Sequence, residues 1–278
     1  DYAQRSSCRR RPEVTGAALV TGGGSGLGRE FCRAYAAQGL PVIIADRDPA
    51  RAAETLALLP GGGHRAEVLE VADADSWAAL QVRLDRQGIV VSTLVNNAGV
   101  ASGGEMALVS KAEWDRVIAV NLTGVYLGVA AFAPAMAARG AGQILNVASF
   151  AGIAGSPLLG AYGVSKAGVI ALSESLRIEM AARSVAVHVL CPSFFQTNLL
   201  QSAGVGTDPR VLGFAQRQMQ KGLLSAADVV THTLAEMKRG RFLILPHAES
   251  RRYWWLKRLL PELYFRQLLR LWRGSSPR

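Results

Sequence analysis

A glycine-rich turn between a short apolar run and an amphipathic segment constrains the fold of this chain more than any other feature. Residues 16–21 read GAALVT, the turn continues as GGGSGLG, and residues 26–38 have the periodicity of a helix. Glycine lets the backbone turn sharply and approach a pyrophosphate, and the helix amino terminus offers free N–H donors. The pattern predicts a strand, a phosphate-binding turn and a helix. Nucleotide contacts are expected from Gly22, Gly24, Ser25, Gly26 and Leu27.

Asp46 strengthens the nucleotide interpretation of this turn. The glycine spacing differs from the strict G-x-G-x-x-G fingerprint, so the turn alone also suits an ordinary loop. Asp46 follows the next apolar run, 20 residues after Gly26. A carboxylate there accepts hydrogen bonds from the adenosine ribose and repels a 2′-phosphate, which favours NAD(H). Arg47 leaves NADP(H) open, because a guanidinium can pair with a 2′-phosphate, although a solvated surface arginine is the simpler interpretation.

The rest of the chain repeats the alternation of β-branched apolar runs with amphipathic segments. Such runs are typical of parallel strands covered by helices on both faces. We predict an α/β fold with a doubly wound parallel sheet of the Rossmann type. Two helix starts carry the spacing of a cap, Ser110 with Glu113 and Ser225 with Asp228. The predicted strands are residues 16–21, 41–45, 67–71, 92–96, 143–149, 185–191 and 242–245, and the main predicted helices are 26–38, 49–58, 75–87, 112–138 and 161–183.

The net charge of +10 lies mainly at the two ends of the chain. Residues 1–13 carry +2, residues 249–278 carry +6, and the part between them is nearly neutral. A nucleic-acid binder would carry its basic footprint on the body of the domain, so we predict no nucleic-acid partner. We expect one domain over residues 14–248 with a substrate lid at 193–224. A disordered basic arm at 1–13 and a basic amphipathic extension at 249–278 would flank it.

The cysteines indicate a reducing compartment. Cys8, Cys32 and Cys191 are too few and too widely spaced for a disulfide framework or a zinc site, so we predict no metal. Neither a signal-length apolar stretch after the early arginines nor an apolar run near 18 residues is found. We expect a soluble, cytoplasmic protein.

Tyr162 and Lys166 lie four residues apart near the start of a predicted helix, so their side chains project from one face. A phenol with a pKa of about 10 is a poor base at neutral pH, and a nearby ammonium lowers that pKa. The pair suits general acid–base chemistry, although such pairs also occur on ordinary helix surfaces. Other motifs in the chain decide between these interpretations.

Several motifs, taken in order, give the chain a resemblance to the short-chain dehydrogenase/reductase family in its compact form. The resemblance covers residues 14–245 and implies an NAD(P)(H)-dependent oxidoreductase. The motifs are TGxxxGxG at 21–28, Asn96-Asn97-Ala98-Gly99, Asn121, Ser149, Tyr162-x-x-x-Lys166, and Pro192 with Thr197.

The resemblance implies a catalytic tetrad of Asn121, Ser149, Tyr162 and Lys166. Tyr162 would be the general acid in carbonyl reduction and the base in alcohol oxidation, and Ser149 would hold the substrate oxygen. Lys166 would bind the nicotinamide ribose and lower the pKa of the tyrosine. Asn121 would interrupt the helix hydrogen bonding and position a water in a proton relay.

The resemblance also implies cofactor contacts outside the glycine turn. Asn96, Ala98 and Gly99 would support the sheet and pass the adenine ribose, and residues 192–197 would contact the nicotinamide. Glu70-Val71 stands where the family has Asp-Val in the third strand, and Ser193 replaces a common glycine. The implied cofactor-binding set beyond the turn is Asp46, Arg47, Glu70, Val71, Asn97, Ala98, Gly99, Tyr162, Lys166, Pro192, Ser193, Phe195 and Thr197.

An apolar lid predicts a hydrophobic ketone or secondary alcohol as substrate. Packing of the lid on the domain explains the same residues equally well. Residues 190–199 (LCPSFFQTNL) resemble a bacterial subgroup of secondary alcohol dehydrogenases and ketone reductases. Two other functions stay open: a membrane-associated steroid, retinoid or lipid dehydrogenase, and a non-catalytic dinucleotide sensor or scaffold. The lid residues are Phe194, Phe195, Leu199, Leu200, Val205, Val211, Leu212, Phe214 and Met219, with Ile153, Leu158 and Leu159 extending the pocket.

Residues 251–273 predict an amphipathic helix that Pro261 breaks or kinks. Its apolar face favours docking on the protein, as a wall of the active site or an oligomer contact, over an anionic membrane surface. The family resemblance implies a homodimer or homotetramer. The i,i+4 spacing predicts ion pairs along a polar stripe of Arg258, Glu262, Arg266 and Arg270. The apolar face comprises Tyr253, Leu256, Leu260, Tyr264, Leu268 and Leu271.

Overall fold

The sheet consists of seven parallel strands, which are β1 Ala17–Thr21, β2 Val42–Asp46, β3 Arg65–Val68, β4 Val91–Asn96, β5 Gly142–Val147, β6 Val185–Leu190 and β7 Leu243–Ile244. The computed structural model describes residues 16–195, 198–204 and 207–275. The strand order is β3-β2-β1-β4-β5-β6-β7. The order reverses beside β1, and such a reversal opens the crevice in which doubly wound folds bind ligands.

Helices cover both faces of this sheet, which confirms the predicted α/β fold. They are α1 Gly26–Ala37, α2 Pro49–Ala57, α3 Ala74–Arg86, α4 Lys111–Ile118, α5 Gly124–Arg139, α6 Ala151–Ala154, α7 Gly160–Ala181, α8 Pro209–Lys221, α9 Ala226–Lys238, α10 Ala248–Leu259 and α11 Pro261–Ser275. Successive strand residues point to opposite faces. Leu19 and Ile43 share a cluster with α3, α5 and α7, whereas Val20 and Ile44 share one with α1, α2 and α9.

A π-helical turn at Ala119–Thr123 interrupts the first long predicted helix, which is otherwise continuous over Lys111–Arg139. Turns of this kind are frequent at functional sites, and this one contains Asn121. By length and composition, the stretch is the one helix in the described residues that could cross a membrane. Val117 and Met136 of this helix are fully buried.

The predicted helix caps are present. Ser225 and Asp228 form a reciprocal capping box at the start of α9. The Ser110 side chain accepts a hydrogen bond from the Glu113 N–H at the start of α4. These caps satisfy backbone donors that would otherwise lack partners.

The predicted position of the third strand is wrong. β3 spans Arg65–Val68 rather than residues 67–71, so Glu70 and Val71 follow the strand instead of lying in it. β3 is the edge of the sheet and pairs only with β2, and its residues are partly exposed. The alternation of buried and exposed side chains along β3 is therefore weak. Beyond its end, the buried side chains of Leu69 and Val71 give the sequence the apolar pattern of a strand.

The C-terminal tail, α10 together with α11, breaks at Leu260 before Pro261, as predicted. It packs against α6: the Lys257 ammonium donates to the Ile153 carbonyl oxygen, and Tyr264 Oη donates to the Ala154 carbonyl oxygen at 2.8 Å. The structure thus places the tail on its own domain.

The predicted ion pairs of the tail are wrong. No salt bridge joins Arg258 to Glu262 in the part of the chain that the structure describes, because the break at Leu260 separates the two helices. Arg266 donates instead to the backbone oxygen of Glu262 at 3.3 Å.

Candidate active site

A cavity of about 1130 Å³ lies at the carboxyl ends of the strands. Ser149, Tyr162 and Lys166 line it together with most of the predicted cofactor-binding residues. Gly24 and Asn121 do not line it, and Thr197 and the lid residue Val205 lie outside the described residues. The other predicted cofactor-binding residues that line it are Gly22, Ser25, Gly26, Leu27, Asp46, Arg47, Glu70, Val71, Asn97, Ala98, Gly99, Pro192, Ser193 and Phe195.

The glycine turn is fixed by close backbone approaches. Gly22 adopts a φ of +62°, which disfavours a side chain. A Cβ on Gly28 would lie 2.1 Å from the Gly22 carbonyl oxygen, so helix α1 packs directly on the turn. Ser25 is the N-cap residue of α1, but its side chain makes no cap hydrogen bond, so it leaves the first N–H groups of this helix available.

The Asp46 carboxylate ends β2 and supports the turn. Its Oδ2 accepts from the Gly24 N–H at 2.9 Å, and its Oδ1 accepts from the Asp48 N–H at 3.0 Å. Two backbone hydrogen bonds therefore orient the group toward the cavity that it lines. The exposed Arg47 and Arg51 line the same cavity, and no sequence motif singles out Arg51.

Asn121 holds the π turn against the loop after β4. Its Oδ1 accepts from the Val100 N–H at 2.8 Å, and its Nδ2 donates to the Val100 carbonyl oxygen at 3.0 Å and to Ser165 Oγ at 3.2 Å. A Cβ on Gly99 would lie 3.2 Å from Asn121 Oδ1 and 3.5 Å from Lys166 Nζ. Asn121 is fully buried, so its side chain supports the residues that line the cavity.

The tyrosine and the lysine occupy one face of α7, as their spacing predicts. Lys166 Nζ lies 5.9 Å from the centre of the Tyr162 ring and donates to the Val147 carbonyl oxygen at 2.8 Å. Ser149 follows β5 by two residues, whereas the prediction placed it at the strand end. The three side chains meet where β5 and α7 approach each other.

The pKa values in this cluster differ from the expectation. Burial raises the pKa of Tyr162 above its ordinary value, and the nearby Ser149 hydroxyl opposes the increase. Burial also lowers the pKa of Lys166 from 10.5 to about 8. The pKa of Tyr162 is therefore raised rather than lowered as predicted, because desolvation by burial is the largest influence on it. Burial keeps the Cys191 thiol neutral beside Lys166, with a pKa raised to about 12.

Ser193 departs from the family glycine but fits the site. Its backbone N–H donates to His247 Nδ1 at 3.2 Å, which ties the loop after β6 to the start of α10. His247 is buried and packs near the Phe195 ring. Sequence reasoning missed this histidine, because its partner is 54 residues away and no local pattern marks the contact.

The end of the cavity formed by the predicted lid is lined mainly by apolar side chains. Leu158 and Leu159 extend it as predicted, whereas Ile153 does not line it and instead packs in a cluster that includes Trp254. The described lid residues that line it are Phe194, Phe195, Leu199, Leu200, Val211, Phe214 and Met219. Leu212 of the predicted set stays outside the lining.

The C-terminal tail completes this wall. Tyr253 of α10 and Leu268 and Trp272 of α11 line the cavity. Tyr264, which is only 3% exposed, anchors α11 through its hydrogen bond to Ala154. The predicted role as a wall of the active site thus has a structural counterpart.

The family model described as short chain dehydrogenase matches residues 16–206. Over 208 residues the chain is 37% identical to the probable oxidoreductase EphD of Mycobacterium tuberculosis, covering 73% of this chain and 35% of that protein. The chain therefore spans about a third of the length of this curated relative. It is also 39% identical over 188 residues to galactitol 2-dehydrogenase (L-tagatose-forming) of Cereibacter sphaeroides, covering 66% and 72% of the two chains.

Two solved structures share the architecture. A short chain dehydrogenase/reductase from Burkholderia phymatum in complex with NAD superposes with a TM-score of 0.83 at 32% identity, covering 89% and 94% of the two chains. A short-chain dehydrogenase from Sphingobium yanoikuyae in complex with NADPH gives 0.73 at 25% identity, covering 85% and 90%. The two similar structures thus contain NAD in one case and NADPH in the other.

Proposed function

The chain belongs to the short-chain dehydrogenase family, and we propose that it transfers hydride between NAD(H) and a hydrophobic ketone or secondary alcohol. Enzymes of this family are oxidoreductases that act on CH–OH and C=O groups with nicotinamide cofactors. One observation carries the proposal: Ser149, Tyr162 and Lys166 line the same cavity as the glycine turn and Asp46.

The residues of the cavity fit a nicotinamide dinucleotide. The uncapped first turn of α1 suits a pyrophosphate, with Ser25 to Leu27 at the cavity wall. Asp46 would hold the adenosine ribose, and Lys166 the nicotinamide ribose. When bound, the nicotinamide supplies or accepts hydride, while the protein provides orientation and the proton.

Tyr162 is the proposed proton donor and acceptor. In carbonyl reduction its hydroxyl donates a proton to the substrate oxygen, and in alcohol oxidation it takes that proton back. Ser149 holds the same oxygen by a hydrogen bond. Because burial raises the Tyr162 pKa, the phenol is protonated at neutral pH, which suits donation in the reductive direction.

The substrate class follows from the lining of the cavity. The lid and the tail contribute aromatic and aliphatic side chains, among them Phe214 and Trp272. Apolar walls favour a hydrophobic molecule over a polyol or a sugar nucleotide. Arg210 and Arg217 also line the cavity, but Arg210 is paired with Asp208 and Glu105, so Arg217 is the residue that would pair with an acidic group on a substrate.

The cofactor preference follows from Asp46. Its oriented carboxylate disfavours a 2′-phosphate, so we propose NAD(H). Arg51 lies 3.2 Å from Asp48 in an ion pair. Arg47 has no ion pair among the described residues. Its guanidinium group could pair with a 2′-phosphate, which would favour NADP(H) instead.

We also propose a homodimer or homotetramer of cytoplasmic location. Tyr126, Val164 and Ile178 on the long helices α5 and α7 are 56%, 41% and 77% exposed, which supports a second copy at this face. Light scattering of the purified protein tests the proposal, and a monomeric mass would contradict it.

A fluorescence titration with NADH and NADPH, followed by turnover with the tighter cofactor, tests the function. The panel contains hydrophobic ketones, secondary alcohols and a polyol. Tighter NADH binding with ketone turnover supports the proposal, and turnover of the polyol alone contradicts the substrate class. Tighter NADPH binding overturns the cofactor preference. Binding without any turnover would instead favour the non-catalytic sensor.

A further inference from the structure

We propose that the outer surface of the C-terminal tail binds an anionic lipid bilayer. The proposal concerns an interaction surface, and it is independent of the reaction that the cavity performs. The tail meets the domain with one side, so its other side is available to a partner.

The apolar part of this surface is unusually dense. Exposed large apolar side chains scattered singly need no explanation, but clusters of them mark interaction sites. Trp255 and Leu259, one helical turn apart on α10, are 54% and 67% exposed. Together with them, the exposed group of the tail comprises Leu260, Leu263, Phe265 and Leu269, whereas Tyr253 faces the cavity.

The charged part of the surface selects the partner. Arg266, Arg270 and Arg273 follow one another at intervals of four and three residues on α11, and all are exposed. Arg252 and Arg258 are exposed on α10. No salt bridge joins any of these five guanidinium groups to a carboxylate within the described residues. Arginine next to tryptophan and leucine is the composition that binds the interface of an anionic membrane.

A second copy of the chain is the competing occupant. Pairing two such surfaces would bring the arginines of both copies together, and like charges across an interface are unfavourable. An anionic bilayer instead supplies phosphate groups for the guanidinium groups and an apolar interior for Trp255 and Leu259. Charge complementarity therefore favours the lipid.

The same helices connect this surface to the cavity. Leu268 and Trp272 line the cavity, whereas the neighbouring Leu269 and Arg273 are exposed. One helix thus separates the proposed lipid contact from the proposed substrate end. A substrate dissolved in the bilayer would reach the cavity along α11, and this consequence rests on the proposed function.

Vesicle co-sedimentation of the full chain tests the proposal. The vesicles contain phosphatidylglycerol and phosphatidylcholine in equal parts, or phosphatidylcholine alone. We expect binding to the anionic vesicles only, weakened by added salt. The triple variant Arg266→Gln, Arg270→Gln and Arg273→Gln should bind about a hundredfold more weakly. Trp255→Glu combined with Leu259→Glu should also lose binding.

Matched controls distinguish the effect of this surface from the effect of changing charge or apolar area elsewhere on the protein. The triple variant Arg33→Gln, Arg86→Gln and Arg183→Gln removes the same charge from exposed positions elsewhere and should bind like the wild type. Leu58→Glu, at a side chain 54% exposed that follows helix α2, is the apolar control. None of the tail positions changed lines the cavity, so turnover of a water-soluble ketone reports folding and function separately.

Three results would overturn the proposal. They are equal binding to neutral and anionic vesicles, absence of wild-type binding to anionic vesicles, and unchanged binding of the tail variants. If the tail variants alter the mass measured by light scattering and leave vesicle binding unchanged, the occupant is a second copy. Failure of all ketone turnover with intact vesicle binding would contradict the proposed function alone.

Discussion

Asn121 and Val100 exchange two hydrogen bonds, one from the Val100 N–H to Asn121 Oδ1 at 2.8 Å and one from Asn121 Nδ2 to the Val100 carbonyl oxygen at 3.0 Å. The exchange joins the π turn to the loop that brings Ala98 and Gly99 to the cavity. Because the Asn121 side chain does not line the cavity, it acts on the reaction by positioning its neighbours.

Asn121→Ala should therefore impair stability and turnover together. Both backbone groups of the buried Val100 lose their partner, which lowers the free energy of unfolding by about 2 to 4 kcal/mol. Urea unfolding and turnover per folded molecule measure the two effects. Asn146→Ala is the control, because Asn146 is equally buried but contacts Asn96 and Ser173. Equal losses of turnover in both variants would contradict the positioning role.

Tyr162→Phe should remove most of the turnover and keep the cofactor affinity. Loss of a general acid typically reduces turnover by about a hundredfold to ten-thousandfold. Fluorescence titration with NADH and steady-state kinetics distinguish the two quantities. Tyr35→Phe is the control, because the buried Tyr35 hydroxyl has no hydrogen-bond partner among the described residues and does not line the cavity. Near-normal turnover of Tyr162→Phe would exclude the assigned role.

The lowered pKa of Lys166 predicts a pH-dependent stability. The folded-state pKa of about 8 lies below the ordinary value of 10.5, so the unfolded chain binds more protons between these pH values. The free energy of unfolding should rise with pH through this window, by about 3 kcal/mol in total. Below pH 8, Lys166 is protonated in both states, and the whole cost of burying its charge lowers the free energy of unfolding.

Comparison with Lys166→Met isolates this contribution. Tyr162 and Cys191, whose pKa values are raised by burial, act in the opposite direction above pH 9, but both residues are present in the wild type and in the variant. Urea unfolding across the window should therefore show a difference between wild type and variant that grows in favour of the wild type as pH rises. A difference independent of pH would show that the lysine pKa is not lowered.

Local pattern predicted the strands and helices where burial and hydrogen bonding agree. Leu19 and Val20 point into opposite clusters, so the continuous apolar run of β1 indicated a strand covered on both sides. At β3 this agreement fails. Leu69 is buried and its N–H donates to the Asp46 carbonyl oxygen at 3.0 Å, although it lies beyond the strand. Apolar pattern reports burial, and here burial continues past the end of the strand.

The motifs predicted the site residues, but not the environment that sets their chemistry. Four-residue spacing brings Tyr162 and Lys166 to one face, yet it contains no information on desolvation, which decides both pKa directions. The contacts between the tail and the domain could not be predicted from the sequence for a similar reason. Tyr264 meets Ala154 across 110 residues, and Pro261 predicts a break without fixing the direction in which α11 leaves it.

Asp46→Ala should weaken NADH binding and reduce discrimination against NADPH. The Gly24 and Asp48 N–H groups lose their acceptor, and the repulsion of a 2′-phosphate disappears. Loss of one such interaction typically costs about tenfold in affinity. Fluorescence titration with both cofactors measures the change, and Asp85→Ala, an exposed acid on α3, is the control. If Arg47→Ala instead abolished binding of either cofactor selectively, that arginine would be the determinant.

Leu268→Ala and Leu269→Ala form a matched pair on α11. Leu268 lines the cavity, whereas its neighbour is 44% exposed and does not. We expect Leu268→Ala to lower kcat/KM for a bulky hydrophobic ketone by about tenfold, because one lost apolar contact weakens binding of that part of the substrate. A small ketone that does not reach α11 should be turned over unchanged. Equal kinetics of the two variants on the bulky ketone would show that the tail does not contribute to substrate selection.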